Sequence, residues 1–124
     1  MRESRKLIVV VENDTSLQQA VCRLLQAAGH TTWCFDSAED ALAEDVQRAD
    51  CLLLDVRLPG LSGFELFDSI AARGRTIPAV FVSAYDGQTF AEQLANRQPS
   101  IFLAKPYEGP ELLYSLERLI RLSL

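Results

Sequence analysis

The chain has 124 residues, 48% of them hydrophobic and 23% charged, with a formal net charge of −5. This length suits one domain with a sizeable core, and the acidic balance argues against nucleic acid binding by this segment, because phosphate contacts need clustered Lys and Arg. No apolar run is long enough to span a bilayer and no charged-then-apolar leader precedes the first strand, so a soluble, cytoplasmic protein is expected.

The first apolar run, Leu7-Ile8-Val9-Val10-Val11, reads as a strand and ends in Glu12-Asn13-Asp14. Leu17, Ala20, Val21, Leu24, Leu25 and Ala28 then recur at helical spacing, and Gly29 stops that helix. His30, the only histidine, falls in the following turn with no acid or cysteine near it in sequence, and reads as a loop residue, neither ligand nor phosphocarrier. A second strand at about 31–35 carries Trp33, expected in the core or against a helix. Ser37-Ala38-Glu39-Asp40 resembles a capping box opening the second helix.

The third strand, at about 50–55, is the most apolar: Cys51-Leu52-Leu53-Leu54 runs into Asp55, and Pro59-Gly60 turns the chain over the sheet edge. Ser62-Gly63-Phe64-Glu65 repeats the capping signal ahead of a third helix. The fourth strand, at about 78–82, ends in Ser83-Ala84, and a helix at about 87–97 has only a thin apolar stripe of Phe90, Ala91, Leu94 and Ala95. The last strand, at about 100–104, ends in Lys105-Pro106. The last helix, at about 108–122, has Pro110 in its first turn and Leu112, Leu113, Leu116, Leu119 and Ile120 on one face, leaving only Ser123 and Leu124 beyond it. Cys22, Cys34 and Cys51 form an odd set without metal-ligand spacing in apolar stretches, and are expected to be reduced core residues.

Strand then helix, repeated along the whole chain, implies a parallel sheet with helices on both faces, since crossovers are right-handed. No internal repeat, low-complexity stretch or interior linker divides residues 1–124, which form one domain, either a complete small protein or the first domain of a longer one. Ligands of open parallel sheets bind at the carboxyl edge of the strands. Asp55 alone at that edge would be weak evidence of function. Three other strand ends add the acids at 12–14, the hydroxyl of Ser83 and the ammonium of Lys105. That set suits a divalent cation beside a phosphorylatable carboxylate.

With these strand ends in place, the chain resembles a receiver (CheY-like) domain of the bacterial two-component response regulators over essentially its whole length. The resemblance rests on Val10-Val11-Glu12-Asn13-Asp14, on Leu54 to Gly63 around Asp55, on Val82-Ser83-Ala84 and on Leu103-Ala104-Lys105-Pro106. Phe35-Asp36-Ser37-Ala38-Glu39 and the stretch around Asp55 look most like receivers attached to helix-turn-helix output domains of nitrogen-fixation and LuxR-type transcriptional regulators. The resemblance implies a doubly wound, flavodoxin-like (βα)5 sandwich of three layers with strand order 2-1-3-4-5. It implies that Asp55 accepts a phosphoryl group, as nucleophile, from the phosphohistidine of a sensor histidine kinase or phosphotransfer protein, or from a small acyl phosphate. It also implies Mg2+ held by Glu12, Asn13, Asp55 and the Arg57 carbonyl, with Lys105 and Ser83 on phosphoryl oxygens. Similar domains carry the Lys-Pro bond cis. Ser83 and Phe102 match the family's switch pair, with Ala84 as the small neighbour, and a homodimer through the face of the fourth and fifth helices follows by resemblance. Such a domain assists its own Mg2+-dependent phosphorylation and dephosphorylation and is not an enzyme for an external substrate.

The sequence departs from the family pattern in three places. Two consecutive acids usually follow the first strand, whereas Glu12 is followed here by Asn13. A unit charge pair at about 4 Å in a partly exposed site is worth roughly 1–4 kcal/mol, so the missing charge should lower Mg2+ affinity by one to a few orders of magnitude. Asp14 could substitute as a ligand, or it could cap the first helix, as Asp before an apolar-periodic run commonly does. Gln98-Pro99 replaces the usual Gly-Ala and implies an altered turn before the last strand. Arg57 and Tyr85 occupy positions that line the path of the hydrolytic water in similar domains, where bulk could slow loss of the phosphoryl group, or they could simply face solvent.

Other readings fail on named residues or lead to a different function. A flavodoxin-type cofactor binder wants a Ser/Thr- or Gly-rich phosphate loop where Glu12-Asn13-Asp14 stands. A haloacid dehalogenase-type phosphatase needs an acid where Arg57 stands. The remaining rival is a pseudo-receiver, a protein-interaction module that keeps the fold without efficient Mg2+ chemistry. Ser83 as a simple cap, Lys105 as a surface lysine and Phe102 as plain core are the blander roles for those residues.

Overall fold

A computed structural model of the chain describes residues 5–122; Ser123 and Leu124, left beyond the last helix by the sequence reading, lie outside them. Elements alternate in the order β1 Leu7–Val11, α1 Thr15–Ala27, β2 Thr31–Phe35, α2 Ala38–Leu42, β3 Cys51–Asp55, α3 Gly63–Ala72, β4 Ala79–Ser83, α4 Ala91–Ala95, β5 Ser100–Ala104 and α5 Gly109–Leu122. The five strands are all parallel in the order β2-β1-β3-β4-β5.

Side chains of a strand alternate between the two faces of the sheet, and this alternation divides the core. Val9, Val11, Leu52, Leu54, Ala79 and Phe81 pack on one face with α2 and α3. Ile8, Val10, Cys51, Leu53, Val80 and Val82 pack on the other with α1 and α5. β3 and β4 are buried along their whole length, as the continuous apolar runs require of central parallel strands.

Local signals set the helix ends. Asp14 accepts the Leu17 amide at 3.0 Å and caps α1, and Ser62 with Glu65 forms a complete capping box on α3. After α1 the amides of Gly29 and His30 bond back to the carbonyls of Gln26 and Leu25, with Gly29 at φ +96°; this Schellman closure needs a residue tolerant of the left-handed region. Ser37 caps α2, but α2 lasts only to Leu42 before a 3-10 turn at Val46–Arg48. The expected helix at about 87–97 is likewise split into a 3-10 turn, Gly87–Phe90, and α4, none of whose five residues is buried. A stripe that thin gives a helix little to pack with.

One expectation is corrected. Cys22 and Cys34 are joined in a disulfide, and only Cys51 is a free thiol among the described residues. Cys34 pairs in register with Val10 and shares its face of the sheet, onto which α1 turns Val21, Cys22 and Leu25. His30 does lie in the loop, but its imidazole is buried against α5, with Nε2 3.5 Å from Glu117 Oε2.

Candidate functional site

Strand ends β1, β3, β4 and β5 bring Glu12, Asp55, Ser83 and Lys105 to the carboxyl edge of the sheet, and Lys105 links Glu12 to Asp55. Lys105 Nζ donates to Asp55 Oδ2 at 2.7 Å and lies 3.0 Å from Glu12 Oε1. Glu12 and Asp55 are 5% and 6% exposed, so the ammonium is what allows two carboxylates to share a nearly dry pocket. The remaining oxygens accept backbone amides: Glu12 Oε2 from Asp14 at 3.0 Å, and Asp55 Oδ1 from Arg57 at 2.9 Å. The Lys105–Pro106 peptide is cis, and the Lys105 amide donates to the Ser83 carbonyl at 2.7 Å.

Burial pushes Glu12 above its ordinary pKa of 4.5, and the nearby Asp55 adds to this, while the Asp14 amide and Lys105 oppose it. Burial alone would lower Lys105, but its bonds to Asp55 and Glu12 outweigh burial and hold it above 10.5. Tyr107, facing the same cluster, is pushed up to about 12, chiefly by desolvation. The pocket therefore carries two acids and one firmly charged ammonium.

Ser83 is fully buried, and its Oγ accepts the Tyr85 amide at 3.1 Å. Phe102 lies partly buried with its ring 6.1 Å from Phe90, and a Cβ on Gly87 would sit 3.0 Å from that ring. Asp14 is the helix cap of α1, which leaves Asn13 as the residue beside Glu12. Asn13 is exposed, with Nδ2 3.5 Å from the Asp36 carbonyl. The Arg57 guanidinium lies 4.8 Å from the centre of the Tyr85 ring, so these two side chains face each other, and both remain exposed to solvent.

Sequence reasoning missed three supporting groups. Gln18 Nε2 donates to the carbonyls of Glu12 and Phe35 and to Asp36 Oδ1, at 2.9, 3.0 and 2.9 Å, which pins the acidic loop to the end of β2. Glu39 Oε2 accepts the Leu61 amide at 2.9 Å, tying α2 to the loop after Asp55, and that bond holds its carboxyl below the usual range. Gly63 lies so close to β3 that a Cβ would collide with the Asp55 carbonyl oxygen. No periodicity marks Gln18 or Glu39, because their partners are distant in sequence.

The donor set fits Mg2+, a hard cation that takes one or two carboxylates plus waters and phosphoryl oxygens. Among the described residues, no three acids, cysteines or histidines form a metal cluster. The carboxylates that meet at this edge are Glu12 and Asp55.

This geometry is that of an open parallel α/β sheet with charged groups gathered at its carboxyl edge, and comparison places it in a family. Residues 8–117 match the response regulator receiver domain model, and the chain belongs to that family, the input domains of two-component signalling. It is 29% identical to the response regulator protein TmoT of Ectopseudomonas mendocina over 99% of this chain and 56% of that protein. It is 30% identical to the transcriptional regulatory protein TdiR of Thauera aromatica over 94% of this chain and 52% of that one. The chain thus spans about half the length of the curated relatives it matches. The receiver domain of the Francisella response regulator 1452 superposes with a TM-score of 0.86, covering 96% of this chain and 99% of that one at 21% identity; at that identity the likeness speaks for the fold alone. Among the described residues no helix is long and apolar enough to cross a membrane.

Proposed function

We propose that this domain accepts a phosphoryl group on Asp55 from a histidine kinase and uses it to switch an output. The observation that carries this reading is the Lys105 ammonium bridging Asp55 and Glu12 at 2.7 and 3.0 Å at the carboxyl end of the sheet. An Asp55 carboxylate oxygen attacks phosphorus, the bond to the donor's imidazole nitrogen or acyl oxygen breaks, and its electron pair leaves with the donor. Lys105 exchanges its carboxylate contact for a phosphoryl oxygen, and Ser83 turns its hydroxyl to another. Glu12, Asn13, Asp55 and the Arg57 carbonyl would hold Mg2+, whose role when bound is to neutralise charge on the transferring group.

Ser83 leaving its contact with the Tyr85 amide and Phe102 moving toward the vacated space give the switch its parts. Phosphorylation biases an equilibrium between two packings of the surface formed by α4, β5 and α5, the surface through which a homodimer would form. DNA would be reached only through an output domain. The Arg57–Tyr85 stack supports a long-lived adduct. A second reading, a pseudo-receiver that binds partners without phosphorylation, draws on Asn13 and on a lysine that already pairs with both acids.

Intact mass after incubation with acetyl phosphate, with and without Mg2+, tests both. A Mg2+-dependent phosphoryl adduct, absent in Asp55→Ala and slow to decay once the donor is removed, supports the phosphoacceptor. A folded sample with no adduct at high Mg2+ overturns it in favour of the pseudo-receiver.

A further inference from the structure

Cys22 and Cys34 lie outside the phosphate site, yet they join α1 to β2 across the same face of the sheet. One helical turn earlier on α1, Gln18 ties the helix to the Phe35 carbonyl at the end of β2 and to the Glu12 carbonyl. The helix is thus fastened to the edge strand twice, once by hydrogen bonds and once covalently. Cys34 is partly buried on an edge strand, whereas Cys22 is 9% exposed beneath the helix. Cys51 differs in kind: it is fully buried in β3, and desolvation pushes its thiol up to about 12, which leaves it little thiolate for exchange.

We infer that Cys22 and Cys34 are a reversible thiol–disulfide pair, a redox-sensitive fastener between α1 and β2 that takes small disulfides such as oxidised glutathione as its oxidant. In the oxidising direction the Cys34 thiolate attacks one sulfur of oxidised glutathione. The glutathione S–S bond breaks and one glutathione thiol leaves. The Cys22 thiolate then attacks the mixed disulfide, releasing the second glutathione and forming the Cys22–Cys34 bond. Two protein thiols are oxidised, one glutathione disulfide is reduced, and the two protons end on the two released thiols. The inference does not depend on the phosphoacceptor reading.

Closing a loop with a sequence separation of 12 residues restricts the unfolded chain, and for this domain size the effect corresponds to a rise of roughly 5–15 °C in the thermal midpoint. The test equilibrates the whole chain in glutathione buffers of increasing disulfide content, then quenches, unfolds, alkylates and weighs it. Expected is one transition from three alkylated cysteines to one, the chain having three, with a peptide linking Cys22 to Cys34. The oxidised midpoint should exceed the reduced one, and the midpoint of Cys34→Ala should not respond to the buffer. Persistence of all three thiols in the most oxidising buffer, a bond that involves Cys51, or equal midpoints for the two forms would overturn the inference.

Discussion

Lys105→Met removes the one cation that Glu12 and Asp55 share, and its cost should depend on pH in a way that identifies Glu12 as the relief valve. Removing one partner of a buried ion pair costs about 3–5 kcal/mol. The Lys105 side chain is 22% exposed, so water can replace part of what is lost, and about 2–3 kcal/mol is expected near neutral pH. Glu12 already sits above 4.5 because of burial and the neighbouring Asp55, against the pull of Lys105. Without the ammonium it rises further. A carboxyl with a raised folded pKa lends stability that is fully present below its unfolded value, 4.5 here, and lost as pH rises through the folded value. The penalty of Lys105→Met should therefore be small at the acidic end and grow as pH rises. Lys105 itself titrates above 10.5 in the wild type and contributes no slope across this window. Urea unfolding of both proteins, followed by Trp33 fluorescence between about pH 5 and about pH 8, measures the difference directly. An equal penalty at both ends, or a variant as stable as wild type at the upper end, would refute the assignment of Glu12 and Lys105 as a coupled pair.

Two further substitutions test the neighbouring positions. Asn13→Asp restores a carboxylate beside Glu12, and should strengthen Mg2+ binding and speed phosphoryl uptake from acetyl phosphate at limiting Mg2+ by roughly tenfold or more; equal rates across a Mg2+ titration would remove Asn13 from the site. Gly63→Ala places a methyl group against the Asp55 carbonyl oxygen, a backbone atom that cannot swing aside. It should cost about 1–3 kcal/mol in chemical denaturation, and wild-type stability would mean that α3 can start farther from β3.

The parallel sheet was written in the sequence because its signals are local. Runs such as Cys51-Leu52-Leu53-Leu54 are buried on both sides wherever they sit, and Ser62 with Glu65 caps a helix using atoms three residues apart. Polar groups at the ends of apolar runs reach the same sheet edge once the strands are parallel, so Asp55, Glu12, Ser83 and Lys105 were legible as a set. The lengths of α2 and α4 were less so, because helix length depends on how much surface the neighbours leave to cover.

Tertiary structure alone decided the contacts between residues far apart in sequence. Lys105 bridges Glu12 as well as Asp55, Gln18 reaches Phe35, Glu39 holds Leu61, and His30 turns inward to Glu117. Most telling are the cysteines: apolar surroundings implied buried thiols, but Cys22 and Cys34 share a face only because α1 crosses back over the β1–β2 edge. Sequence carries burial and periodicity, which each residue expresses on its own. Which two buried side chains meet is set by helix placement and strand register, and those exist only after the chain has folded.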